Sequence, residues 1–163
     1  MLALTGLISL IAAGYAAAGM FDLQLDEAED GPAENDPQIT PQTLNSAPLG
    51  FLIMGGEQPD ALIGSDGNDT ITSGLGNDAI FGNNGNDILQ GGEGADELVG
   101  DGGDDGILGG AGNDFIDGGE GNDALIGETG DDYILGGEGD DIILTGLGND
   151  SLTGGAGHDL ILG

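Results

Sequence analysis

An aliphatic residue returns every nine positions along the C-terminal two-thirds of the chain, as Leu62, Ile71, Ile80, Leu89, Leu98, Ile107, Ile116, Leu125, Ile134, Ile143, Leu152 and Ile161. A period of nine marks a repeat architecture and not a helix or a long alternating strand. With the aliphatic residue placed eighth in the unit, the last three residues predict a minimal strand, as in Phe115-Ile116-Asp117 or Ala124-Leu125-Ile126. Alternation sends its middle side chain inward and its neighbours outward. The first six residues, with glycine at the first, second and fourth places, predict a turn that uses conformations a Cβ would penalise. Two units then close one coil of eighteen residues, so the turns of alternate units stack on the same edge. Counting backward, Ile53 of LGFLIM also falls at the eighth place and predicts a terminal, capping strand.

The remaining sequence has a different texture. Residues 1–21 begin with MLALTGLISLIAAGYAAAGM, twenty residues without a charge and long enough to cross a bilayer as a helix. Ala16-Ala17-Ala18 resembles a processing site, the usual positive flank is missing, and without Lys or Arg the positive-inside rule gives no orientation. A cleaved signal and a retained anchor both stay open. Residues 22–48 carry seven carboxylates and four prolines and predict a disordered, extended spacer. The repeat region occupies 49–163.

Charge narrows the chemistry. Among 163 residues there are 31 acidic side chains, no Lys, Arg or Cys, and one His, for a net charge of −31. Such a chain repels nucleic acid and anionic lipid and attracts cations. It has no disulfide, thiolate metal site or thiol nucleophile. The sixth place of every unit is aspartate: Asp60, Asp69, Asp78, Asp87, Asp96, Asp105, Asp114, Asp123, Asp132, Asp141, Asp150 and Asp159. Stacked at the strand spacing of about 4.8 Å, neighbouring carboxylates in one column repel by about 3 kcal/mol at an intermediate dielectric. Calcium takes six to eight oxygens at about 2.3–2.6 Å, so an ion midway between two turns reaches both; magnesium, with its tighter octahedron, suits this spacing less well. One aliphatic residue per nine is a thin core, which predicts a region largely unfolded without metal that folds on binding it.

The units GGAGNDFID, GGEGNDALI and GGAGHDLIL resemble the haemolysin-type calcium-binding repeat of RTX proteins. The resemblance implies an all-β parallel β-roll with one calcium between consecutive turns of an edge, held by the sixth-place aspartate and main-chain carbonyls of both turns. It assigns the metal to Asp69, Asp78, Asp87, Asp96, Asp105, Asp114, Asp123, Asp132, Asp141, Asp150 and Asp159, with carbonyls from residues such as Gly109, Ala111 and Asn113. Six turns per edge leave five gaps each, which gives up to about ten ions. Asp60 is doubtful, since its unit has Gln58 in place of the central glycine. Ser65, Asn83, Asp101 and Glu128 replace the second-place glycine, and Ser73 and Thr145 the first, so affinity is expected to vary there. The resemblance also implies a secretion signal after the repeats in exported members; with Gly163 the last residue, this chain is expected to lack one or to be a fragment.

Catalysis is not expected. The first 54 residues hold no H-E-x-x-H, no G-x-S-x-G and no histidine. A solvated, calcium-occupied row is a poor place for the raised pKa of a general acid. His158 is expected to be a tolerated turn residue at a variable place, and the acceptor-like tripeptides at Asn68 and Asn149 chance matches. Phe115 and Tyr133 are expected outside as surface aromatics. Two roles stay open: an extracytoplasmic calcium-responsive module, secreted or tethered at the cell surface, and a structural or adhesive spacer touching polysaccharide or other cells.

Overall fold

A computed structural model of the chain describes residues 50–163. The apolar helix expected over residues 1–21 and the linker over 22–48 lie outside the described residues. Thirteen strands follow one another: β1 (Leu52–Met54), β2 (Ala61–Ile63), β3 (Thr70–Leu75), β4 (Ala79–Asn84), β5 (Ile88–Glu93), β6 (Glu97–Gly102), β7 (Gly106–Ala111), β8 (Phe115–Glu120), β9 (Ala124–Thr129), β10 (Tyr133–Glu138), β11 (Ile142–Leu147), β12 (Ser151–Ala156) and β13 (Leu160–Leu162). There is no helix among the described residues.

Odd-numbered strands form one seven-stranded sheet in chain order and even-numbered strands a facing six-stranded sheet. All pairings are parallel and join a residue to the one eighteen ahead, as Ile71 to Leu89, Leu98 to Ile116 and Ile116 to Ile134. This is a parallel β-solenoid of about six coils, the β-roll expected from the period. Because every connection is one short turn, the chain crosses from sheet to sheet at each unit, and all aspartate-bearing turns line the two edges.

The core is the aliphatic column. Ten of its residues, Leu62 to Ile143, are at most 2 % exposed, and Ile53 and Leu152 pack against them half-buried. Ile53 thus sits on a capping strand, opposite Ile71, as its phase predicts. Ile161 departs from the expected inward column: it is 45 % exposed, because only one neighbouring coil covers it. Truncating a central member leaves a void that flanking glycine-rich coils cannot fill. Ile116→Ala is expected to destabilise the folded roll by about 2–5 kcal/mol, read from denaturant midpoints in saturating calcium.

The ten strands from β3 to β12 run six residues each, longer than the three the pattern suggests. β8 runs from the seventh place through the third place of the next unit, and its pairing with β10 continues through Gly119 opposite Gly137 and Glu120 opposite Glu138. Alternation therefore buries the first place as well as the eighth, and the true turn shrinks to about three residues. Glycine serves different needs at its different places. At the fourth, Gly112 has a φ of 137° and lies against the Gly94 carbonyl, so a side chain fails there on both counts. From Gly74 onward the second place also takes positive φ, even where it holds Asn83 (73°), Asp101 (71°) or Glu128 (76°). Asn and Asp tolerate that region; glutamate has no local hydrogen bond to offset it. Glu128→Gly is expected to raise stability by about 0.5–1 kcal/mol, seen as a higher melting temperature with calcium bound.

Candidate metal centres in the turns

The turns that hold Asp60, Asp78, Asp96, Asp114, Asp132 and Asp150 lead from the seven-stranded to the six-stranded sheet and share one edge; the other six share the opposite edge. From Asp69 through Asp141 these side chains are at most 3 % exposed, so the carboxylates turn into the coil and are not the solvated row that the charge pattern suggests. First-place glycine makes this possible. A Cβ on Gly91 would overlap Asp96 Oδ2 and lie 2.6 Å from the Gly109 carbonyl oxygen, so the missing side chain is the space the carboxylate occupies. Where that glycine is absent, Ser73 turns its hydroxyl to the Gly91 carbonyl at 2.6 Å.

Each sixth-place carboxylate uses its two oxygens differently. Oδ1 accepts the amide of the aspartate one coil earlier, from Asp69 N to Asp87 at 2.7 Å, through Asp96 N to Asp114 at 2.9 Å, to Asp141 N to Asp159 at 3.2 Å. Oδ2 is buried with no hydrogen-bond partner in eight of them: Asp78, Asp87, Asp96, Asp105, Asp114, Asp123, Asp132 and Asp141. Eight such orphans in one small domain are far more than protein interiors tolerate unless something else meets them.

The expected site residues divide accordingly. Those eight share one geometry, four on each edge. Asp69 does not: its Oδ2 accepts the Ser65 amide at 2.5 Å and the Ser65 hydroxyl at 3.2 Å. Asp60 likewise caps its own turn at the Gly56 amide, 2.8 Å away. Asp150 and Asp159, near the last coil, are only half-buried. Of the carbonyls named as supplementary ligands, that of Ala111 already accepts the Gly94 amide at 2.8 Å and keeps one lone pair.

Burial shifts the acidities. Loss of solvation, helped by repulsion from neighbouring aspartates and opposed by the amide bond to Oδ1, raises Asp105 to about 7 and Asp114 and Asp123 to about 6. The same cause raises Asp87, Asp96, Asp132 and Asp141.

A hard divalent cation answers this arrangement. The donors are all oxygen, the unmatched atoms are anionic, and they lie beside main-chain carbonyls of the next coil. Among the described residues no three acidic or histidine side chains converge on a point. A shell built here would therefore draw on one or two aspartates, completed by main-chain carbonyls and water.

The fifth place, taken as variable from the sequence, carries a second ladder. Its side-chain oxygen accepts the fifth-place amide one coil later, as Asn86 N to Asn68 at 3.0 Å, Asp131 N to Asn113 at 3.0 Å and His158 N to Asp140 at 2.8 Å. The same contact from Asn149 lowers the Asp131 pKa. Frequent Asn and Asp at that place were the available signal. His158 is an exposed turn residue, and Asn68 and Asn149 are both engaged in this ladder. Phe115 is half-buried and Tyr133 exposed on the outer face of the six-stranded sheet, their rings stacked 5.7 Å apart.

A family model described as RTX calcium-binding nonapeptide repeat (4 copies) matches the chain over residues 52–80, 81–116, 107–134, 117–152 and 135–163. No curated protein matches it.

Proposed function

Since the chain belongs to the RTX calcium-binding nonapeptide repeat family, whose repeats bind calcium in a β-roll, we propose that it is an extracytoplasmic, non-catalytic calcium module that folds on binding the ion. The observation that supports this most directly is the set of eight buried, unpartnered Oδ2 atoms. Calcium, when bound, supplies the charge that lets these carboxylates stay ionised inside the coil. The chain's own part is to hold each carboxylate by its Oδ1 bond, to keep carbonyls of adjacent turns close, and to exclude water with the strands on either side. Asp78, Asp87, Asp96, Asp105, Asp114, Asp123, Asp132 and Asp141 are the strongest ligands on this reading. Asp69, Asp150 and Asp159 serve weaker sites toward the ends, within the limit of about ten ions set by the gaps. The low calcium of a cytosol would leave such sites empty, which favours a location outside it.

The test is Asp114→Asn, which keeps an Oδ1 acceptor and removes the unmatched anionic oxygen. Calorimetric titration is expected to show about one ion fewer per chain and a higher calcium midpoint for folding. An unchanged stoichiometry and midpoint would remove this residue from the site.

A further inference from the structure

The two outer faces of the roll differ in charge. In the seven-stranded sheet the only charged residues are Glu93 and Glu128, both at the turn end of their strands. The six-stranded sheet carries five, Glu97, Asp101, Asp117, Glu120 and Glu138. All fourteen outward residues at the seventh and ninth places of the seven-stranded sheet are uncharged, in a chain with 31 carboxylates. Exposed apolar side chains collect there, among them Ile88 (59 %), Ile142 (46 %), Leu144 (38 %) and, at the strand end, Leu147 (75 %). Between Ile88 and Ile142 the same column holds Gly106 and Ala124, a shallow trough between two ridges.

We propose that this face of the seven-stranded sheet binds a second copy of the chain, face to face across a two-fold axis. Charge selects the partner: among the described residues, the seventh and ninth places of this sheet are where two copies this acidic can approach without opposing carboxylates. Area agrees. Seven strands at about 4.8 Å and up to six residues at about 3.3 Å make a face of about 29 by 20 Å, with Glu93 and Glu128 at its turn-side rim, so a pair buries about 1,100 Å² in total, enough for a specific interface. Exposed large apolar side chains gathered on one face, and not scattered singly, are a feature of interaction sites. The ridge-and-trough relief offers self-complementary packing of the kind a two-fold contact needs. This inference rests on the calcium reading, because the face exists only in the folded roll.

The full chain is studied in saturating calcium by sedimentation velocity and circular dichroism together. A dimer with full β signal is expected, and Leu144→Glu should weaken it by at least about tenfold while leaving the β signal intact. The chain has no cysteine, so single thiols give a clean second readout. Ala124→Cys should join into dimers with a bis-maleimide linker, and Ser151→Cys, on the other sheet, should not. A monomer with full β signal overturns the dimer and leaves calcium binding standing. So does binding to zwitterionic vesicles without dimerisation, or a monomer whose Ala124→Cys thiol is unreactive because the chain's own apolar residues 1–20 cover it. No β signal in calcium overturns both readings.

Discussion

Stripping calcium from the full chain at pH 7.5 is expected to abolish the β signal in far-ultraviolet circular dichroism, and restoring millimolar calcium to return it in one cooperative step. The reason is the arrangement of the sixth-place carboxylates. Eight bury an oxygen with no donor, and each lies one coil from the next on its edge. An ionised, dehydrated carboxylate is expensive on its own, and a stack of them adds mutual repulsion. Against this the fold sets one aliphatic side chain per nine residues, and hydrogen bonds whose net worth is modest. A ligand that binds only the folded coils then drives folding by mass action. Magnesium is expected to substitute poorly because it sheds water reluctantly. Full β structure in the stripped protein at this pH would defeat the coupled-folding reading.

The second large effect is that acid should partly replace calcium. Burial raises Asp105 to about 7 and Asp114 and Asp123 to about 6 in the folded chain, against an ordinary 3.8. The folded state therefore holds more protons than the unfolded one between those limits. Its contribution to stability is full below about 4, and is lost as pH rises through about 6–7. The metal-free protein should gain β signal as pH falls from 7.5 to 5, since a protonated carboxyl needs no counter-charge. In calcium the trend reverses, because protons compete for the ligands, and the midpoint for calcium should rise over the same range. A metal-free β signal that does not change with pH would show that these side chains are not buried as described.

How much of this was legible in the sequence depends on which atoms carried the information. The aliphatic and aspartate columns announced the eighteen-residue coil, the two edges and the inward face, because each places a distinctive side chain in a strict phase. Ile53 was legible for the same reason. Strand length was not: the first and second places are mostly glycine, which shows neither an inward nor an outward preference, so the strand seemed to stop at the ninth residue. Burial of Asp96 or Asp114 was hidden too, since it depends on the carboxylate folding over the first-place glycine of its own unit, which lies in the preceding strand. Asp69 could not be separated from its neighbours until Ser65 was seen to occupy its Oδ2. The spacing of the aspartates already favoured calcium over magnesium; the family resemblance supplied the ligand scheme of aspartate and main-chain carbonyls.

The eighteen-residue register also constrains how such a chain can change length. Deleting one whole coil, for example residues 91–108, returns every later residue to the sheet and edge it had before, with both side-chain ladders rejoined. Deleting a single nine-residue unit keeps the repeat in phase yet exchanges the two sheets for everything downstream. Glu138 would then join the sparsely charged seven-stranded sheet and Leu147 would leave it. Gain or loss of material is thus quantised in pairs of units, and a rod built this way lengthens in steps of one strand spacing.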